Sequence, residues 1–152
     1  MSLELMQALA AEVGGTVTTG KKAVTLSVSP DKVPAACSKV ASMPGLYHLS
    51  TITAMDTGTE IAILYHFWLG KTFFVVRTTV PKSLPKLASI IPSIPAATLY
   101  EAEVHDLLGV TFVGNPFMKS KLLLPDEYPK DAPPPLWKEA DPAKIRRMMG
   151  LE

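Results

Sequence analysis

A chain of 152 residues with 47% hydrophobic content and a formal charge of +1 holds enough apolar material for one well-buried core in one domain. The near-neutral balance, with no zinc-finger spacing, no RNP-like aromatic pattern and no sustained Lys/Arg stripe, argues against nucleic-acid binding. The longest apolar run, Ile61 to Leu69, is interrupted by His66 and is too short to cross a bilayer as a helix, so any membrane contact is expected to be indirect.

Leu3, Met6, Leu9, Ala10 and Val13 recur at helical spacing and predict a first helix that stops at Gly14-Gly15. The segment carries Glu4 and Glu12 and lacks a basic start followed by a continuous apolar core. It therefore does not read as a secretory signal, and a reducing, cytoplasmic setting is expected. Thr16 to Thr19 and Ala23 to Val28 read as a hairpin turning at Gly20. Pro30-Asp31 ends that run, and a second helix is expected from about Lys32 to Ser42, with Pro34 in its first turn and Pro44-Gly45 breaking it. Cys37 shares this helix with Val33, Ala36, Val40 and Ala41 and reads as a small buried hydrophobe. As the only cysteine, it can form no internal disulfide and cannot supply the four thiolates of an ordinary iron–sulfur cluster, so any redox chemistry is expected to be a partner's.

Three strands follow, about Leu46 to Asp56, Glu60 to Leu69 and Thr72 to Val80. Gly58 marks the first turn, and Gly70-Lys71 suits a two-residue type II′ hairpin because glycine comes first. Along the middle strand Ile61, Ile63, Tyr65, Phe67 and Leu69 face one side, and Glu60, Ala62, Leu64, His66 and Trp68 the other. Both faces are largely apolar, which suits a strand covered by helices on one side and by the C-terminal segment or another protein on the other. The order α-β-β-α-β-β-β, then a third helix, predicts a two-layer α+β domain with the first two helices on one sheet face.

Pro81, Pro85, Pro92 and Pro95 punctuate a stiff connector with a short helical turn expected around Leu84 to Ile91. Thr98 and Glu101 then match a capping box that would start the third helix. Tyr100, Val104, Leu107 and Leu108 form its apolar stripe, Glu101, Glu103, His105 and Asp106 point elsewhere, and Gly109 supplies a left-handed stop. The three carboxylates could be a general acid/base cluster, metal ligands or a solvated helix face. His48, His66 and His105 are too scattered for a local metal motif, and no HExxH, GxGxxG, P-loop or GxSxG element occurs.

Beyond Gly114 come Pro116, Pro125, Pro129, Pro133, Pro134, Pro135 and Pro142, which forbid a long helix or a central strand. Phe117, Met118, Leu122, Leu123, Leu124, Tyr128, Leu136 and Trp137 are too apolar for a disordered tail. The expected organisation is an α+β domain over residues 1–114 and an extended arm over 115–152, docked on a partner through Phe117, Tyr128 and Trp137 in preference to a tail folded back on its own domain, with a capped helical turn after Asp141-Pro142.

Glu101, Glu103, Asp106, Leu107, Leu108, Gly109, Phe112, Gly114, Pro116 and the run Leu122, Leu123, Leu124, Pro125 resemble the signature of the 30 kDa subunit family of respiratory complex I, which includes the equivalent subunits of membrane-bound nickel–iron hydrogenases. The resemblance extends, less specifically, over nearly the whole chain. Departures are Ala102 for the usual Arg, Asn115 for the usual His, one extra residue before Leu122, and Pro135-Leu136-Trp137-Lys138-Glu139 in place of a basic ending. They leave the electron acceptor open and keep a hydrogenase-type member in view. The resemblance implies a non-catalytic, cofactor-free subunit of the peripheral arm, on the cytoplasmic face of the cell membrane. It would brace the large catalytic (49 kDa-like) subunit and the small iron–sulfur subunit. Iron–sulfur clusters and a quinone site or nickel–iron centre would then lie in those partners. The alternative is a freestanding α+β small-molecule-binding domain or enzyme using the Glu101, Glu103 and Asp106 cluster.

Overall fold

A computed structural model describes residues 2–21, 23–45 and 47–151. Lys22 in the first hairpin and Leu46, the expected start of the third strand, lie outside them. Helix α1 (Ser2–Val13) buries Met6, Leu9, Ala10 and Val13 of the stripe legible in the sequence, while Leu3 in its first turn is exposed, and Gly14 ends it with φ 74°. The next residue must be small. A Cβ on Gly15 would lie 2.8 Å from both the Leu26 side chain and the Ser27 carbonyl.

Strands β1 (Thr16–Thr19), β2 (Val24–Ser27), β3 (Tyr47–Asp56), β4 (Glu60–Leu69) and β5 (Thr72–Pro81) form one sheet in the order β1-β2-β5-β4-β3. Neighbours are antiparallel except β2 and β5, where Leu26 sits beside Val76 in a parallel pair. Helix α2 (Val33–Ser42), entered through a 3₁₀ turn at Pro30–Lys32, lies between β2 and the β3–β5 meander and contacts β5. The Gly70-Lys71 loop joins Leu69 to its partner Thr72, and Gly70 has φ 59° while among the described residues no non-glycine, Lys71 included, has positive φ, as a type II′ turn requires.

A register shift between Leu49 and Thr51 matters for the core. Leu49 and Ile52 are three apart and would face opposite sides of a regular strand; the bulge at Ser50 places them opposite Phe67 and Tyr65, on one face. That face carries Ile61, Ile63, Tyr65, Phe67, Phe74 and Val76, all fully buried, and joins one cluster with α1 and α2. Each such side chain contributes about 1.5–3 kcal/mol. Cys37 lies in the same cluster, and burial, with a smaller contribution from Glu101, pushes its thiol far above the usual range, so it behaves as an inert hydrophobe. On the opposite face Phe73 stacks on His66 and tilts against Trp68, and Trp68 is 43% and Met55 55% exposed.

The connector departs from expectation. The helical turn expected around Leu84 to Ile91 is instead a short strand, β6 (Lys86–Ala88), paired in parallel with β7 (Thr111–Val113). Leu87 is buried while Lys86 and Ala88 face out, a two-residue alternation too short to stand out against the surrounding prolines. Between β6 and β7 runs α3 (Ala97–Leu108), which packs against β3 and adds Val104 and Leu108 to the core. A seven-residue helix, α4 (Pro142–Met148), follows Asp141, whose carboxylate caps the amides of Ala143 and Lys144 as expected.

Candidate functional site

Helix α3 carries the three clustered carboxylates, and it turns them in different directions. With about 100° per residue, Glu103 and Asp106 sit roughly 200° and 140° around the axis from Glu101. Glu101 is fully buried, Asp106 is 6% exposed on another side, and Glu103 is open to solvent. They do not converge on a common substrate or ion, and among the described residues no group of three or more His, Cys, Asp or Glu could hold a metal.

Glu101 does not close a capping box. The helix begins one residue earlier than expected, at Ala97, and Thr98 Oγ1 donates to the Pro95 carbonyl at 2.7 Å. Glu101 instead reaches inward. Its Oε1 accepts from the Ile90 amide at 2.9 Å, and its Oε2 from Ser89 Oγ at 2.7 Å and Asn115 Nδ2 at 3.0 Å. Burial pushes this carboxyl above its ordinary value, and the hydrogen bonds from Ser89, Ile90 and Asn115 oppose the rise. Asn115 extends the network: Nδ2 also donates to the Thr98 carbonyl, and Oδ1 accepts from the Phe117 amide. One carboxylate thereby ties the end of β6, the start of α3 and the first residues after β7.

Asp106 stands in the last turn of α3, where a negative charge opposes the helix dipole and needs donors. They come from the arm. Asp106 Oδ2 accepts from the amides of Leu122 at 2.8 Å, Leu123 at 2.6 Å and Leu124 at 3.0 Å. Lys121 Nζ holds the same loop from its far side, donating to the carbonyls of Pro125, Asp126 and Tyr128. Gly109, at φ 73°, ends the helix as expected, with its amide donating to the His105 carbonyl. A Cβ there would lie 2.8 Å from Pro134.

A third set of contacts lies where the β3–β4 turn meets the arm. Asp56 Oδ2 accepts from Lys82 Nζ at 2.5 Å and from the Lys138 amide at 2.8 Å, and its Oδ1 accepts from the Gly58 amide. Lys82 also pairs with Glu139 and lies 4.4 Å from the Trp137 ring centroid. The Lys138 and Gly58 amides and the Lys82 ammonium hold the Asp56 carboxyl at about 2, below its ordinary 3.8, against the effect of burial. A lowered acid stabilises the fold above its unfolded value and loses that contribution as pH falls through the folded one. The gap in melting temperature between wild type and D56N should therefore be widest above pH 3.8 and close toward about pH 2. A constant gap across an acid series would refute this assignment.

The arm's aromatic residues divide. Trp137 is turned into its own chain, its indole N–H donating to the Leu108 carbonyl at 2.8 Å. Tyr128 is partly buried and its hydroxyl donates to the Pro133 carbonyl. Phe117 is 37%, Leu123 55% and Leu136 56% exposed. Phe112 is fully buried, and its amide donates to Met118 Sδ. Gly114 and Pro116 flank Asn115, so the boundary after Gly114 falls inside the Glu101 network. Ser89, Lys82 and Glu139 carried no sequence signal for these roles, nor did Asp56 beyond its local bond to Gly58, because the partners lie 12 or more positions away.

Among the described residues no helix is long and apolar enough to cross a membrane. The chain is 29% identical over 116 residues to an NADH-quinone oxidoreductase subunit of Moorella thermoacetica, covering 74% of this chain and 78% of that protein. It is 32% identical over 90 residues to formate hydrogenlyase subunit 5 of Escherichia coli, 59% of this chain but only 14% of that protein. Its fold matches a chain of the membrane-bound sulfane sulfur reductase, an archaeal respiratory membrane complex, with a TM-score of 0.80 at 24% identity over 95% of this chain and 89% of that one. Residues 26–145 match the family of the respiratory-chain NADH dehydrogenase 30 kDa subunit. With most of the chain inside that match, α3 and most of the arm included, the protein belongs to this family, the subunits of complex I-like or hydrogenase-like membrane complexes.

Proposed function

We propose that the chain is a non-catalytic, cofactor-free brace in the peripheral arm of such a complex, on the cytoplasmic membrane face, holding the large catalytic subunit and the small iron–sulfur subunit in fixed relation. The observation that carries this reading is the use made of the signature carboxylates: Glu101 and Asp106 are buried and accept hydrogen bonds from their own chain. Electron transfer needs cofactors kept at constant separation, and a protein whose acidic groups fasten its own segments is suited to provide a rigid surface. The open sheet face around Trp68, Phe73 and Met55, together with Phe117, Leu122, Leu123 and Leu136, supplies apolar area for neighbouring subunits.

The test is replacement of Glu103, the exposed signature carboxylate, by Gln in the native host, followed by purification of the complex through a tagged partner. Turnover per assembled complex should stay at the wild-type value while the amount assembled falls. The chain purified alone should carry no stoichiometric iron, nickel or zinc. A fully assembled complex with abolished turnover, or a metal bound to the isolated folded chain, would overturn the reading.

A further inference from the structure

We infer that the C-terminal arm is a strap closed by two independent clasps on its own domain, folded before any neighbouring subunit is met. The first clasp is Asp106 Oδ2 with the three successive amides of Leu122, Leu123 and Leu124, braced by Lys121 across the same loop. A carboxylate bonded to three backbone donors makes strong, charge-assisted hydrogen bonds.

The second clasp uses the end of α3 itself. The last carbonyls of a helix have no partner within it, and two of them are taken by the arm: Leu107 by the Leu136 amide at 3.0 Å and Leu108 by the Trp137 indole. Asp56 then takes the Lys138 amide, and Lys82 lies between Asp56, Glu139 and the Trp137 ring. The two clasps share no residue, and residues 125–135 run between them. Because the amides of Leu122 and Leu123 face Asp106, their side chains stay outside, 39% and 55% exposed on a backbone already held in place. The consequence for docking rests on the subunit reading above: a neighbour would meet a preformed ridge and lose little conformational entropy in ordering it.

Amide hydrogen exchange on the full isolated chain tests the strap without any partner. The amides of Leu122, Leu123, Leu124, Leu136 and Lys138 should exchange at least about 100-fold more slowly than in an unstructured peptide. D106N, which keeps an oxygen acceptor but removes the charge, should speed the 122–124 amides by roughly 10-fold and leave Leu136 and Lys138 unchanged. D56N should do the reverse. Wild-type arm amides exchanging at the free-peptide rate would show that the arm is not folded before assembly, whatever the variants do. Loosening of both sets by either variant would show a single unit. Either result overturns the inference, while a fully assembled complex with abolished turnover in the Glu103→Gln experiment would overturn the subunit reading and leave the strap standing.

Discussion

Replacing Glu101 by Gln should lower the melting temperature by roughly 4–10 °C, and replacing it by Ala by roughly 8–15 °C. In Glu101→Gln one side-chain oxygen can still accept from the Ile90 amide, and the new NH₂ can donate to Ser89 Oγ. That NH₂ then faces Asn115 Nδ2, and two donors stand opposed. Asn115 cannot turn over without cost, because its Oδ1 accepts from the Phe117 amide. One buried donor is left unpaired, at about 1–3 kcal/mol. Alanine strands all three donors and leaves a cavity at a fully buried site, about 3–5 kcal/mol in total.

The sign of the pH dependence separates this site from Asp56. A carboxyl raised in the folded state favours the protonated form, so its contribution is fully present below the unfolded value and is lost as pH rises through the folded one. Wild type should therefore lose stability relative to E101Q on passing upward from about pH 4.5, opposite to the Asp56 effect. Thermal melts of wild type, E101Q and N115A would decide the matter. Melting of E101Q within a degree of wild type would show that the network does not hold these segments together.

Trp137→Ala should cost about 2–4 kcal/mol and free the distal part of the arm. Truncating a fully buried Trp costs about 3–5 kcal/mol, and Trp137 is only partly buried. Its loss also leaves the Leu108 carbonyl without its indole donor and Lys82 without the ring beneath it. Trp137→Phe keeps an aromatic face against Lys82 and removes only the hydrogen bond, so its cost should be nearer about 1 kcal/mol. Limited proteolysis supplies a second measure: trypsin should cut after Lys130 and Lys138 sooner in Trp137→Ala than in wild type. Unchanged protection in the alanine variant would mean that the arm is held by other contacts and that the indole is incidental.

Much of the domain was legible in the sequence because its signals are local. The stripe Met6, Leu9, Ala10 and Val13, the alternation from Glu60 to Leu69, the glycine-first turn at Gly70 and the cap at Asp141 each involve residues within a few positions of one another, and the elements stand where those patterns put them. The α-β-β-α-β-β-β order and the family resemblance followed from the same short-range features.

What the local signals missed are the places where a short-range reading competed with a long-range one. Lys86 to Ala88 became a strand because Thr111 to Val113, on the far side of a helix, offered its backbone. Glu101 has the spacing of a capping box with Thr98, yet buried donors at Ser89, Ile90 and Asn115 satisfy its charge more fully than a single helix amide could. The proline-rich composition after Gly114 identified an extended segment with apolar side chains, but not the surface that orders it. Asp106 and the free carbonyls at the end of α3 decided that. Periodicity, turn chemistry and caps are written in consecutive residues, so the sequence alone determined the main helices, the five-stranded sheet's strands, their order and the family, but not β6. The partners of Glu101, Asp106 and Trp137 were decided only by the tertiary structure, because a buried charge or an unpaired helix end is satisfied by whichever donors the fold brings near, and sequence separation carries no record of that distance.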